Sequence, residues 1–454
     1  MNRQSVEQFS RSVPAETVKS VRTASALKVE SRKSALKEAF EDVDAARSQA
    51  AHIKSYTLDN LGSLLVQLEL KCRLNGIVVH WAKDATSANK IILEICRAAA
   101  SPGEIIVKAK SMATEEIHLN RHLIKSGYEV VETDLGEYVV QIDNDTPSHI
   151  VTPIIHKNRK QVAKSFEREG LGPYTEVPSE LAMQARHHLR EKFHNAKIGI
   201  SGVNFAIAET GRIVLVENEG NSRLSTTAPD VHIAVMGIEK ILPSEGDLPL
   251  FLRLLTGSAT GQRITTYVHL ISGPRRRDEQ DGPKEVHLVI LDNGRSKVLN
   301  GPYRDILRCI RCGACLNVCP VYRQASGHAY KHVYSGPLGA VLGPALEGVE
   351  KLPDLAKAST LCGACEEACP VKIPIPKMLL QLRDEAVRKG LLKDSIPWST
   401  FSIGSTSGFR WRMGLKMLPM ASLVKHPAKA GWEEFKDLPK KEGRDFRRWW
   451  HGRS

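Results

Sequence analysis

The sequence predicts an α/β protein with a largely parallel sheet, joined to a helical cysteine-rich module and an irregular C-terminal tail. Two observations lead to this prediction. Short β-branched runs alternate with helical segments from about residue 65 to residue 298, as in α/β domains with crossover helices. Seven of the nine cysteines then fall between Cys309 and Cys369. A dense cysteine island after a long cysteine-poor region indicates metal binding rather than disulfides.

The expected elements follow in order along the chain. Residues 1–64 have sparse apolar positions and many charges, which predicts a helical arm that packs on a larger body. Asp84 predicts the N-cap of a helix over 88–98, and Thr114 predicts another N-cap. The expected strands are Gly76–Ala82, Glu104–Lys108, Glu129–Glu132, Tyr138–Ile142, Gly199–Ile200, Gly211–Val216, Val231–Gly237, Thr265–Leu270 and Val286–Leu291.

Composition and these patterns predict four segments: the arm at 1–64, the α/β domain at 65–298, the cysteine module at 299–390 and the tail at 391–454. The chain is 42% hydrophobic and 25% charged, as in an ordinary globular protein. No apolar run approaches the roughly 18 residues that span a bilayer, and the N-terminus has no apolar signal core. We therefore expect a cytoplasmic protein without a transmembrane segment.

The first cysteine motif has a specific spacing. It reads C-x2-C-x2-C-x3-C-P, with its cysteines at Cys309, Cys312, Cys315 and Cys319. Bacterial two-cluster ferredoxins use this run, in which three thiolates bind one cubane and the fourth binds the other cluster. Structural zinc sites do not need such a run. The spacing therefore predicts iron–sulfur clusters and electron transfer.

The second motif lacks one cysteine, because Ser359 stands where the frame requires it. The ferredoxin crossover assigns the first cluster to Cys309, Cys312, Cys315 and Cys369, and the second to Cys319, Cys362 and Cys365. The fourth iron of the second cluster is then bound by Ser359, by water or by a partner, or is absent, as in a [3Fe–4S] centre. The sequence predicts two clusters, with the [4Fe–4S] type favoured, and leaves these alternatives open.

Polar residues near several predicted strand ends are candidates for a ligand pocket, because open α/β sheets bind ligands beyond their carboxyl edges. Turns capped by Asn and Ser explain the pattern equally well. The candidates are Ser201, Asn204, Glu209, Glu217, Asn218, Glu219 and Asn221. Neither a dinucleotide motif nor a P-loop is present, and the catalytic residues stay unknown. Five histidines near these loops are not assigned to a metal: His149, His156, His187, His188 and His232.

The C-terminal tail is basic and rich in tryptophan. From Phe409 to Ser454 it contains 12 Lys and Arg against 5 Asp and Glu, a net charge of +7 out of +13 for the whole chain. Four of the six tryptophans lie there. No nucleic-acid-binding signature accompanies them. Such a tail suits docking to an acidic protein or to a membrane surface, and we favour docking to a protein over binding to nucleic acid.

Several segments resemble the lactate-utilisation protein B family, whose members are iron–sulfur subunits of a bacterial system that oxidises L-lactate. The resemblance covers nearly the whole chain and includes both cysteine motifs. The segments are Lys110–Ile117, Val131–Tyr138, Gly202–Thr210, Ser258–Thr265, Cys309–Pro320, Cys362–Pro370 and Phe446–Trp450.

The resemblance implies a Rossmann-like lactate-utilisation (LUD) domain, similar to sugar-phosphate isomerase folds, followed by two [4Fe–4S] clusters on the seven cysteines. It also implies two other lactate-utilisation subunits as partners, with this chain relaying electrons from lactate to an unidentified acceptor. Two rival interpretations remain. In one, the α/β domain binds lactate or another hydroxy acid and this chain is the catalytic subunit. In the other, the clusters serve a redox-sensing binding protein.

Overall fold

The computed structural model describes residues 5–392, 398–421, 449–450 and 452. The chain divides into two units, Met1–Ala386 and Val387–Ser454. The first contains the helical arm, the α/β domain and the cysteine module. Among the described residues, no helix combines the length and the apolar character that crossing a membrane requires.

Four helices precede the first strand, and the fourth extends beyond residue 64, where the arm was predicted to end. Charged and alanine-rich sequence favours long helices here, and the Asp42 carboxylate caps the third by accepting from the backbone N–H groups of Asp44 and Ala45 at 2.9 Å. The second and third helices contact the cysteine module as well as the α/β domain. The helices are α1 (Val6–Ser10), α2 (Ala15–Ala39), α3 (Val43–Asp59) and α4 (Leu61–Leu74).

Ten strands and eight helices build the α/β domain. The strands are β1 (Val78–Ala82), β2 (Ile105–Lys108), β3 (Glu129–Glu132), β4 (Ile198–Gly202), β5 (Phe205–Ile207), β6 (Arg212–Glu217), β7 (Val231–Gly237), β8 (Ile241–Leu242), β9 (Tyr267–Ile271) and β10 (Glu285–Leu291). The helices are α5 (Ala85–Ala99), α6 (Met112–Glu116), α7 (Leu119–Lys125), α8 (Leu135–Ile142), α9 (Arg159–Arg168), α10 (Pro178–Asn195), α11 (Asn221–Thr227) and α12 (Leu248–Ala259).

Six strands form the main sheet in the order β1-β10-β7-β4-β2-β3. Every neighbouring pair in it is parallel, which confirms the predicted parallel α/β architecture. A smaller sheet has the order β8-β5-β6-β9 and mixes parallel with antiparallel pairs. Its short strands β5 and β8 were not predicted, because runs of two or three residues carry no periodic signal.

Both faces of the main sheet are buried, because successive side chains of a strand point to opposite sides. On β7, Ile233 and Val235 join a core formed with α5 and α7. Their neighbours Ala234 and Met236 join the opposite core, with α4 and the smaller sheet.

Short helices dominate the cysteine module, as the sequence predicts. They are α13 (Arg295–Leu299), α14 (Ala314–Val318), α15 (Pro320–Ala325), α16 (Gly336–Glu347), α17 (Ala364–Glu367) and α18 (Ile375–Arg388). The second unit contains α19 (Trp398–Ser405) and α20 (Gly408–Ala421). Most of the basic, tryptophan-rich tail lies outside the described residues; on α20, Phe409 and Trp411 are exposed.

Two local predictions are wrong. Tyr138–Ile142 is not a strand but most of α8, because the Asp134 carboxylate caps a helix by accepting from the N–H groups of Gly136 and Glu137 and a helical turn buries Tyr138 against a neighbouring core. Thr114 is not an N-cap. Ser111 caps α6, and its hydroxyl accepts from the Thr114 N–H at 3.3 Å.

Candidate metal centre and adjoining cavity

The two cysteine motifs share one backbone shape, 50 residues apart. Arg311 and Leu361 have φ angles of 63° and 56°, which are uncommon for residues other than glycine. Gly313 and Gly363 follow with φ angles of 74° and 86°, and a short helix then begins in each motif. The sequence repeat is therefore also a structural repeat, with equivalent pairs Cys309 and Ser359, Cys312 and Cys362, Cys315 and Cys365, and Cys319 and Cys369.

Four cysteine side chains line one small cavity. Three come from the first motif and one from the second: Cys309, Cys312, Cys315 and Cys369. Apolar side chains of Leu338, Val371, Ile373 and Ile375 complete its wall. Because Cys312 and Cys369 are each only 6% exposed, the cavity excludes most water. Its four thiols are the set that the ferredoxin crossover predicts.

The other three cysteines form a second group. The Cys362 thiol lies near enough to those of Cys319 and Cys365 to act on the pKa of each. Cys319 and Cys365 are buried, whereas Cys362 is exposed. The second group is therefore open to solvent on one side, unlike the first.

Ser359 takes the place of Cys309 in the second repeat. Its hydroxyl accepts a hydrogen bond from the Leu361 N–H at 3.0 Å, as the Cys309 sulfur accepts one from the Arg311 N–H at 3.3 Å. The Ser359 oxygen thus accepts from the N–H group two residues later in its motif, as the Cys309 sulfur does in the first motif.

The buried cysteines need a positively charged partner before they can lose their protons and bind metal. Burial raises the pKa of Cys312 and of Cys365 to about 12 and that of Cys369 to about 11. A thiolate is the ligand form of cysteine, so these side chains bind metal only where positive charge offsets the burial. Backbone N–H groups also face the sulfurs: Tyr322 donates to Cys319 at 3.5 Å and Ile373 to Cys369 at 3.4 Å. The donor set fits an iron–sulfur cluster.

A larger cavity of about 570 Å³ lies at the carboxyl ends of β2, β4 and β7. Lys28 of the arm and Arg311 and Tyr334 of the cysteine module also line it. Six of the seven predicted pocket residues line this cavity: Ser201, Asn204, Glu217, Asn218, Glu219 and Asn221. Glu209 does not; its carboxylate accepts from the Ser244 hydroxyl at 2.9 Å.

A buried ion-pair network forms part of the wall of this cavity. The Glu239 carboxylate accepts from Arg295 at 2.7 Å and from Arg311 at 3.1 Å. Burial alone would raise the pKa of Glu239, but the two guanidinium groups lower it to about 2. Gly237 makes room for the pair, because a Cβ there would lie 2.1 Å from a Glu239 oxygen. Arg311 lies over the Tyr334 ring, 4.9 Å from its centre.

Lys240 is a further cation of the cavity wall. Burial, followed by the charge of Arg311, lowers its pKa to about 8. The sequence interpretation missed Lys240, Arg295 and Arg311 as cavity residues. Ligands of open α/β sheets bind beyond the carboxyl ends of the strands, and this rule, applied to residues 237–240 after β7, would have found Glu239 and Lys240. No sequence signal predicts that Lys28 or Tyr334 lies near these strand ends.

Asp145, His156 and His328 are the only group of described residues with three potential metal-ligand atoms within 4.8 Å of one another. Their atoms already have protein partners. His156 bonds to Asp145 at 3.0 Å and to the Ser148 hydroxyl at 2.7 Å, and His328 bonds to the Thr146 carbonyl at 2.7 Å. The cluster therefore joins the α/β domain to the cysteine module through hydrogen bonds.

The other histidines near predicted loops have structural surroundings, and of these His149 packs against Gly313 of the first cysteine motif and Tyr322 just after it. His188 packs on Tyr138, and His187 is exposed on the same helix. His232 is 1% exposed and bonds to the Ser201 hydroxyl at 2.8 Å. Burial, followed by the charges of two nearby lysines, lowers the pKa of His149 to about 3.

Comparison with known proteins identifies both parts of the first unit. Residues 65–291 match the LUD domain family, and residues 305–373 match the 4Fe-4S dicluster domain family. Lactate utilization protein B of Anoxybacillus flavithermus is 45% identical over 418 residues, which cover 89% of this chain and 88% of the relative. The Bacillus subtilis protein of the same name is 45% identical over 420 residues, covering 90% and 87%.

YkgF of Escherichia coli, named an uncharacterized electron transport protein, is 43% identical over 416 residues, covering 89% of this chain and 87% of the relative. These identities extend over both domains and both cysteine motifs. The chain therefore belongs to the lactate utilization protein B family.

Proposed function

We propose that this chain is the iron–sulfur electron-transfer subunit of a complex that oxidises L-lactate to pyruvate. The observation that carries the proposal is the small cavity lined by four cysteines, with a second cysteine group beside it. The match to a dicluster family supports iron–sulfur clusters. The names of the relatives support lactate as the source of electrons.

The spacing of the sulfurs supports clusters over zinc. Four thiolates around one zinc ion at about 2.3 Å lie about 3.8 Å from one another. Among the described residues, no three cysteine sulfurs lie within 4.8 Å of one another. A cubane, which holds each sulfur on a different iron, suits this wider spacing.

We assign one cluster to Cys309, Cys312, Cys315 and Cys369, and the other to Cys319, Cys362 and Cys365. For the second cluster we propose Ser359 as the fourth ligand. The support is its position, equivalent to that of Cys309, and its equivalent hydrogen bond to the backbone.

Bound clusters would supply one-electron acceptor and donor chemistry, and two of them match the two electrons that lactate oxidation releases. The chain's own residues set the environment. Apolar residues such as Leu338 and Ile375 exclude water from the first group. Arg32 and Arg47 place positive charge near its sulfurs, which favours the reduced state. The exposed Cys362 makes the second group the exit toward a partner.

We further propose that the other two lactate-utilisation subunits and an electron acceptor are the partners, and that the complex acts in the cytoplasm. Nine free cysteines suit a reducing compartment. We propose the segments 1–64, 65–298, 299–390 and 391–454 as the functional divisions of the chain.

Iron and sulfide analysis of anaerobically purified protein, with EPR after reduction, tests the proposal. We expect about eight irons per chain. Cys312→Ser should lose about half of them, whereas Cys96→Ser should lose none, because Cys96 is equally buried but lies in the α/β core. Zinc without iron, or equal iron loss in both variants, would contradict the proposal.

The catalytic-subunit interpretation has one supporting observation, the cavity that adjoins the first cysteine group. Its ligand chemistry can be tested separately from the clusters.

A further inference from the structure

Most polar groups in the 570 Å³ cavity already have protein partners. The Glu217 carboxylate accepts from the N–H groups of Ser222 and Arg223 at 2.7 and 2.8 Å, and from His269 at 2.7 Å. Asn218 accepts from Thr265 and Thr266 and donates to Gln262. These groups stabilise the cavity wall and are not available to a ligand.

The polar groups that lack a partner are mainly donors. Within the described part of the chain, the ammonium groups of Lys28 and Lys240 make no hydrogen bond. The Arg311 Nη1 atom is buried without a partner, in a side chain that is 8% exposed. The side-chain N–H₂ groups of Asn204 and Gln262 are also uncommitted, because only their oxygens are bonded.

The charged side chains of the cavity wall also show an excess of cations. Arg311 shares the Glu239 carboxylate with Arg295, which also pairs with Glu116 at 2.8 Å. With Lys240 beside them, three cations share two carboxylates at that point. Lys28 and Lys110 lie close enough for each charge to oppose the other, and the Lys110 ammonium donates to the Val151 carbonyl at 2.6 Å. Buried cations without a counter-charge are costly. An anion in the cavity would remove that cost.

Among the described residues, two carboxylates of the cavity each have an oxygen without a hydrogen bond. The exposed Glu219 accepts through Oε2, from the Asn218 N–H. Asp134 caps α8 through Oδ1, which leaves its Oδ2 atom for a hydroxyl donor in the same cavity. A volume of about 570 Å³ is in the range of small-molecule sites.

We propose that this cavity binds a hydroxycarboxylate. Its carboxylate lies on the cationic wall formed by Lys28, Lys240 and Arg311, and a hydroxyl group donates to Asp134. Arg311 lies between Cys309 and Cys312 in the chain, and its own N–H donates to the Cys309 sulfur. A ligand held by the Arg311 side chain therefore contacts the residue that directly precedes Cys312. The inference deepens the proposed function, and rests on it only for the redox role of those cysteines.

Isothermal titration calorimetry on the full-length protein with its clusters, under anaerobic conditions, tests the proposal. The probes are sodium L-lactate, sodium propionate without the hydroxyl, lactamide without the charge, and inorganic phosphate. We expect saturable lactate binding, weaker propionate binding and no lactamide binding. Lys240→Met and Lys28→Met should each weaken lactate binding about tenfold or more.

Lys90→Met is the matched control, because the Lys90 side chain is 76% exposed on α5, outside the cavity. It should bind lactate as the unmodified protein does. The absence of saturable carboxylate binding, unchanged affinity in both cavity variants, or tighter binding of phosphate than of lactate would overturn the proposal. Iron and sulfide content is measured on the same samples and tests the cluster assignment. Calorimetry tests the hydroxycarboxylate site, so each proposal can be refuted independently of the other.

Discussion

Arg47 offers a direct test of how the helical arm acts on the first cysteine group. Its side chain is 15% exposed. Its Nε atom donates to the Cys369 carbonyl at 3.0 Å and its Nη2 atom to the Glu366 carbonyl at 3.2 Å. Replacing Arg47 with Gln removes one positive charge beside a cluster that gains negative charge on reduction. The reduction potential of that cluster should therefore fall.

The magnitude follows from the geometry. A guanidinium on the Cys369 carbonyl lies about 7 Å from the centre of the cysteine group, judged from chain dimensions. At an effective dielectric constant of about 20, one charge then stabilises the added electron by about 2.4 kcal/mol. Since about 1.4 kcal/mol corresponds to about 59 mV for one electron, the limit is about 100 mV. Partial screening by solvent reduces the expected fall to about 50–100 mV.

Potentiometric titration followed by EPR measures this shift. Arg47→Lys keeps the charge and should retain most of the potential, which separates the charge from the hydrogen bonds. Arg73→Gln is the remote control, because Arg73 is 64% exposed and pairs with Glu69 on α4. An unchanged or higher potential in Arg47→Gln, or an equal fall in Arg47→Lys, would refute the electrostatic reasoning.

Three further changes have defined outcomes. Ser359→Ala should lower the iron content by about one per chain and give a [3Fe–4S] EPR signal after oxidation, whereas Ser359→Cys should keep all irons. Gly237→Ala, with a Cβ 2.1 Å from Glu239, should cost about 3–5 kcal/mol of unfolding free energy in urea titrations; Gly62→Ala, where a Cβ meets nothing within 4 Å, should cost none. Burial lowers the pKa of His232 to about 3, so the unfolded chain binds its proton first as the pH falls below about 6.5, and this group alone should lower stability by about 2 kcal/mol at pH 5. His232→Gln should flatten that acid-side loss in thermal unfolding.

The parts that could be predicted from sequence are those whose signal is local. Cysteine spacing is a property of a few consecutive residues, so it identified the seven cysteines that the structure brings into two groups. Strands such as β7 and β10 were predicted from mostly apolar runs of seven residues that are rich in Val and Ile. The ligand assignment itself stays a prediction, since spacing and geometry do not show which metal is bound.

The parts that could not be predicted depend on tertiary contacts. Tyr138–Ile142 suits a strand by composition, yet a cap at Asp134 makes it a helix. Lys28, Lys240 and Arg311 meet at one cavity although about 280 residues separate the first from the last. No short stretch of sequence contains all three residues, so their proximity could not be predicted from local patterns.

Arg311 links the two sites, because its side chain faces the cavity and its N–H donates to the Cys309 sulfur. An anion held by Arg311 therefore adds negative charge beside the first cysteine group and should lower the potential of a cluster bound there. Linkage makes the effect reciprocal: the reduced protein should bind the anion more weakly than the oxidised protein by the same factor. A fall of about 59 mV on saturation with lactate requires about tenfold weaker binding after reduction. Reduction potentials measured with and without lactate, compared with lactate affinities from calorimetry on both redox states, check this equality. If lactate binds and the potential does not change, the ligand lies elsewhere.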